Sequence, residues 1–281
     1  CHPRVSMLLV LLLSMLSLAA GGKLLVVPVD GSHWLSMWEV VDGLSQKGHE
    51  IVVVAPEANL RIKPTKNFFL KTYPVPFTQE ELVANIRALS MDVFEGGSFL
   101  ERIARFYQLL NEITAIFLST CTQLLYNEEL VRYLEESKFD AVFTDPMIPC
   151  GPILAEHLSL PSVFYLQQLP CNLEFEATQC PYPPSYVPRI TTALTDRMNF
   201  FQRVQNLVVD ISLPFFCGIL YQPYTKLASE FLKKDVTVLD LFHKASIWLL
   251  RLDFVFQYPR PLMPNMIFIG GVNCAYRKLT Q

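Results

Sequence analysis

Two side chains in this 281-residue chain have the types and surroundings that acid–base chemistry needs, His33 and Asp145. His33 lies in Asp30-Gly31-Ser32-His33-Trp34, after the apolar run Lys23 to Val29, and falls in the first turn of a helix if Ser32 is its N-cap. An imidazole titrates near neutral pH and can accept a proton from a hydroxyl or an amine. The positive end of the helix dipole penalises an imidazolium at that position, so His33 is expected to be neutral. Asp145 lies in Thr144-Asp145-Pro146, after the apolar run Phe139 to Phe143. A carboxylate beside the imidazole would orient its tautomer and stabilise the cation formed on proton uptake. Simpler readings stand beside this one: a histidine at a helix start is often only hydrogen-bonded, and aspartate before proline is a common turn residue.

Few other residues compete for a chemical role. The loop after the first apolar run is not a G-x-G-x-x-G, and no G-x-x-x-x-G-K-[ST] or G-x-S-x-G occurs. No C-x-x-C is present and the cysteine spacings match no zinc pattern, so no metal and no bound cofactor is expected. Cys150 lacks a base nearby in sequence. His49 follows the C-cap Gly48 and His157 ends a helix, and both read as solvated or dipole-related; His243 sits in an apolar helical turn and reads as structural.

The elements that must position His33 and Asp145 follow from periodicity. Lys23 to Val29, Ile51 to Ala55 and Phe68 to Tyr73 read as strands. Between the first two lies a helix with Leu35, Trp38, Val41 and Leu44 on one face. Thr78/Glu81 and Ser98/Glu101 form capping boxes. The second precedes a long one-sided helix through Phe99, Ile103, Phe106, Leu110, Ile113 and Phe117, and Asn127 caps a further helix. Phe139 to Phe143, a helix from Pro149 to His157, and Ser162 to Leu166 make a second strand–helix–strand unit. The proline-rich stretch Pro170 to Pro188 is too long for a simple connector and reads as a binding or lid loop. Thr195 is expected to cap an apolar helical region, Phe200 to Phe231, interrupted by Pro214 and Pro223. Ile247 to Leu252 and Met266 to Ile269 supply the last strands.

Strands apolar on both faces and alternating with helices predict an α/β fold, a Rossmann-like doubly wound parallel sheet. Right-handed crossovers order the first half 3-2-1 and put the Phe139 strand beside Lys23 to Val29. The switch point then lies between those two strands, and His33 and Asp145 open into the crevice beyond their ends.

Composition excludes several classes. With 51% hydrophobic residues, 17% charged and a net charge of −3, the chain is neither disordered nor basic enough to seek nucleic acid. Arg4, the apolar run Val5 to Ala20 and the small residues after it read as a secretory signal peptide over 1–20, cleaved near Ala20. That leaves 21–281 as the mature domain, with its other end expected to be a domain edge. An oxidising compartment permits disulfides. Cys171 and Cys180 are a possible pair, with buried free thiols as the alternative.

The stretches KLLVVPVDGSHWLSMWEVVDGLSQKGHEIVVVAPE, FDAVFTDPMIPCGPILAEHLSLPSVFYL and YPRPLMPNMIFIGGVNC closely resemble the acceptor half of UDP-glucuronosyltransferases of the family-1 type. The resemblance covers essentially the whole mature chain. It implies the N-terminal half of a two-domain GT-B glycosyltransferase, with His33 matching the catalytic base and Asp145 its partner. It further implies inverting transfer of glucuronic acid from UDP-glucuronic acid to small lipophilic acceptors, at the luminal side of the endoplasmic reticulum membrane, by a subunit that forms homo- or hetero-oligomers. The family's donor half carries Pro-Gln and His-Gly pairs; neither pair occurs here. The chain is therefore expected to bind acceptors but to turn nothing over alone. An acceptor pocket should be mostly apolar; the expected lining is Trp34, Phe106, Leu110, Phe117 and Phe175. Leu207 to Leu220 is expected either to dock on the membrane surface or to pack in the core. A short isoform that binds lipophiles or regulates full-length subunits, without catalysis, is the competing reading.

Overall fold

Unbroken runs such as KLLVV and EIVVVAP have no polar face to show to water, so they are stable only with both faces covered. The computed structural model describes residues 21–92, 99–189, 192–252, 255, 257–272 and 274. The signal-peptide expectation and Ser98 lie outside the described residues. Seven strands form one sheet: Lys23–Val27 (β1), Glu50–Pro56 (β2), Phe69–Tyr73 (β3), Ala141–Thr144 (β4), Ser162–Leu166 (β5), Ile247–Leu250 (β6) and Met266–Phe268 (β7). Every pairing is parallel and the order is β3-β2-β1-β4-β5-β6-β7. The doubly wound α/β sheet is thus present, with the switch point between β1 and β4.

Helices cover both faces: Ser32–Gln46 (α1), Gln79–Asp92 (α2), Phe99–Leu125 (α3), Glu128–Glu136 (α4), Cys150–His157 (α5), Leu173–Ala177 (α6), Phe200–Leu232 (α7) and Val238–His243 (α8). On one face α1 packs Trp34, Met37 and Val41 against Val26, Val53 and Tyr165. On the other, residues of α3, α4, α5, α7 and α8 surround Leu25, Val142 and Phe164. Each large apolar side chain buried this way contributes about 1.5–3 kcal/mol. The Thr78 capping box and the Asn127 cap form as the sequence indicates.

Four local expectations are corrected. The α1 N-cap is Gly31, not Ser32; its φ of 76° and ψ of −133° suit glycine and carry the chain sharply from β1 into the helix. On α1, Val41 is buried and Trp38 and Leu44 pack against the core as expected, but Leu35 is 52% exposed, and Trp34 and Met37 take the buried positions. Asn199, not Thr195, caps α7, exchanging hydrogen bonds with Gln202. Finally, α7 runs through Pro214 and Pro223 without interruption. The lost backbone bonds are offset by its rear face, where Asn206, Cys217, Tyr221, Tyr224, Leu227 and Ala228 are buried.

A disulfide joins Cys121 of α3 to Cys150 of α5, across Cα atoms 5.4 Å apart. Cys180 is a buried free thiol, so it makes no bond to Cys171.

Candidate functional site

The ends of β1 and β4 bring the two candidate residues together across 112 positions of sequence. His33 Nδ1 lies 2.6 Å from Asp145 Oδ2. Asp145 is 2% exposed, whereas the His33 side chain is 35% exposed. An ionised carboxylate only accepts, so Nδ1–H donates and the Nε2 lone pair is left free to take a proton.

The hydrogen bond from Asp145 raises the His33 pKa above its ordinary 6.5; burial opposes this, the Asp145 charge adds to it and the Arg251 charge subtracts. The Asp145 contact at 2.6 Å thus acts against the helix end, which by itself favours the neutral ring.

Three contacts fix the pair. Asp145 Oδ1 accepts from Met147 N at 2.9 Å, closing a turn that aims the other oxygen at His33. Thr144 Oγ1 donates to the Val27 carbonyl at 2.6 Å, locking the end of β4 to the end of β1. The Tyr165 hydroxyl donates to the Ser36 carbonyl at 2.8 Å and so holds α1 against the sheet. Helix α5 approaches β4 so closely that a Cβ on Gly151 would lie 2.0 Å from Thr144 Oγ1.

An apolar crevice opens beside the pair, about 650 Å³ with its open mouth counted. Val27, Val29, Val54, Ile62, Phe77, Leu82, Phe117, Leu124 and Ile148 line it, and Asp30, Tyr73, Thr120 and Asp145 give it a few polar groups. Of the residues expected to line an acceptor pocket, Phe117 is here. The side chains of Phe106 and Leu110 lie outside the described residues. Trp34 is 3% exposed in the core, edge-on to Phe68 at 5.7 Å. Phe175 stacks on Tyr182 at 4.2 Å and lines a separate cavity with Gln179, Cys180, Arg189 and Asp210.

Sequence reasoning did not single out Thr144, Tyr165, Phe77 or Arg251. A hydroxyl at the last position of a buried strand is the one signal that could have exposed Thr144. Two other histidines make structural contacts: His49 Nδ1 accepts from Gly22 N at 3.0 Å, and His157 Nε2 bonds Glu135 Oε1 at 2.8 Å, while His243 is exposed. Among the described residues no cluster of three or more His, Cys, Asp or Glu could hold a metal ion.

Comparison with known proteins supplies a family. Human UDP-glucuronosyltransferase 1A1 is 53% identical over 256 residues, covering 91% of this chain and 48% of that protein. The rat 1A1 enzyme is 51% identical over 282 residues, covering 99% and 53%. Human UDP-glucuronosyltransferase 1A3 is 47% identical over 270 residues, covering 96% and 51%. The chain spans about half the length of these curated relatives. Among solved structures, the calicheamicin glycosyltransferase CalG4 overlays with a TM-score of 0.47 at 13% identity, covering 89% of this chain and 51% of that one. The family model described as UDP-glucoronosyl and UDP-glucosyl transferase matches residues 22–280, and the chain belongs to that family.

Proposed function

We propose that the chain is the acceptor half of a glucuronosyltransferase, with His33 as the general base and Asp145 as its partner. The observation that carries this is a histidine whose Nδ1 is backed at 2.6 Å by a buried carboxylate, which leaves the Nε2 lone pair to accept a proton, beside an apolar crevice. A lipophilic phenol or amine would bury its apolar body in the crevice and turn its polar atom toward His33. His33 Nε2 takes the acceptor proton as the acceptor oxygen or nitrogen forms its bond to the anomeric carbon of UDP-glucuronic acid. The bond from that carbon to the diphosphate breaks, and UDP leaves with the electron pair, inverting the centre. Asp145 stabilises the imidazolium, which then returns its proton to solvent.

UDP-glucuronic acid is the co-substrate of this reaction, with its binding residues in a C-terminal half, a reading in keeping with the half-length match to the relatives. Alone, the chain binds acceptors without turnover. We assign it to the luminal side of the endoplasmic reticulum membrane, working as a homo- or hetero-oligomer. Helix α7 is long and apolar enough by length and composition to cross a membrane. Its Asp210 pairs with the buried Arg189 at 2.5 Å, and its Asn206 bonds the Pro184 and Val187 carbonyls, so this helix lies along the domain and presents its outer face to lipid. Phe201, Val208, Ile211, Phe215 and Phe216 form that face, each 61% or more exposed.

The test is transfer from UDP-glucuronic acid to a panel of phenols and amines by this chain joined to a family donor half, beside the chain alone. Turnover in the joined protein only is expected. No transfer from a folded joined protein would favour a lipophile-binding or regulatory chain instead.

A further inference from the structure

The loop that carries His33 is held from a second side. Asp30 Oδ1 accepts from Gly31 N at 2.6 Å and from Arg61 N at 3.1 Å, and Asp30 Oδ2 accepts from Leu60 N. One carboxylate thereby gathers three backbone donors from two segments about 30 positions apart. It does not cap α1, whose N-cap is Gly31 without a side-chain hydrogen bond.

The segment it grips is itself a closed unit. Asn59, 5% exposed, donates to the Pro56 carbonyl at 3.0 Å and accepts from Ile62 N at 3.1 Å. Pro56, Ala58 and Ile62 line the crevice, as does Asp30. The wall that would meet an acceptor and the loop that carries the base are therefore joined through a single side chain.

We infer that Asp30 is a positioning residue that sets the placement of His33 against Asp145 and couples it to the crevice wall formed by Pro56, Ala58 and Ile62. This rests on the reading of His33 and Asp145 as the proton-accepting pair. An amide in place of the Asp30 carboxylate has one acceptor oxygen, which can keep Gly31 N and Arg61 N, while its NH₂ cannot accept from Leu60 N, so part of the clamp is lost and the rest is weakened. With the clamp gone, the first turn of α1 swings on Gly31, and the His33–Asp145 bond is populated for less of the time.

The experiment follows the His33 ring proton resonances against pH in this chain, as wild type, Asp30→Ala, Asp30→Asn and Asp145→Asn, with a thermal melt of each. The titrations are run at low and at high salt: the charge lost with Asp30 acts through solvent and is screened, so only a fall in midpoint that persists at high salt is counted as a change of geometry. The expected result is a His33 midpoint that falls toward the ordinary imidazole value in Asp30→Ala, and by less in Asp30→Asn, in proteins that still melt cooperatively. Should Asp30→Ala fail to fold, Asp30→Asn decides: a lowered midpoint supports the clamp and an unchanged one overturns it. A midpoint that falls in Asp145→Asn but in neither Asp30 variant removes the clamp and leaves the pair intact. A midpoint unmoved by Asp145→Asn removes the pair itself.

Discussion

Replacing Asp145 with asparagine is the sharpest perturbation of the pair, because it alters chemistry with almost no change of shape. Oδ1 survives as a carbonyl and keeps the Met147 N–H at 2.9 Å, so the turn persists. The other oxygen becomes an NH₂ facing His33 Nδ1 across 2.6 Å. Two donors cannot share that contact, so the ring must carry its proton on Nε2 and accept at Nδ1, and the lone pair needed for the acceptor is lost. The imidazolium also loses its counter-charge. A hydrogen bond to a charged group is worth about 1.5–3 kcal/mol, or roughly 10- to 150-fold in rate, and the tautomer change adds to it. Steady-state transfer by the chain joined to a donor half should show kcat reduced by at least about a hundredfold with KM for a phenol nearly constant. Asp145→Asn within about threefold of wild type in kcat, in a folded protein, would refute the reasoning.

Further perturbations test other parts of the structure. Gly151→Ala drives a Cβ to 2.0 Å from Thr144 Oγ1; the overpacking should cost about 1–3 kcal/mol, seen in a denaturant melt as a lower midpoint at unchanged slope. Paired Phe215→Glu and Phe216→Glu, at sites 83% and 66% exposed, should leave the melt nearly unchanged. The same pair should cut co-sedimentation with phospholipid vesicles about a hundredfold or more, since each buried Phe is worth about 1.5–3 kcal/mol; undiminished binding would remove α7 as the docking face. Glu174 is fully buried, and burial raises its pKa from 4.5 to about 7. Its folded form holds the proton more tightly than the unfolded chain, so wild type loses stability as pH rises from 4.5 to about 7. Glu174→Gln should therefore gain on wild type across that window in melting temperature, and a difference independent of pH would contradict the burial argument.

Much of the frame was legible because it depends on local pattern. Unbroken apolar runs marked β1, β2, β4 and β5, and the right-handed crossover rule was enough to set β4 beside β1 and so bring His33 to Asp145. Detail failed where two local readings compete and packing decides. On α1, the stripe through Leu35 and the stripe through Trp34 are both helical and share Val41, and only the sheet opposite decides that Trp34 and Met37 are buried while Leu35 is exposed. On α7, prolines read as breaks, because what anchors the helix comes from a distant segment: Arg189 pairs with Asp210, and the Pro184 and Val187 carbonyls accept from Asn206. The crevice lining was least legible. Ile62 and Phe77 come from loops with no periodicity, and their place beside Phe117 exists only once α3 has crossed the sheet.

The central claim is that His33 accepts the acceptor proton, and the most direct measurement is the pH–rate profile of the joined enzyme with and without His33→Ala. Wild-type kcat/KM should rise with pH through the His33 ionisation, at a midpoint above the ordinary imidazole value of 6.5. His33→Ala should remove that limb, together with roughly 10²–10⁴-fold of the rate. A folded His33→Ala protein that keeps both the limb and the rate would contradict the claim.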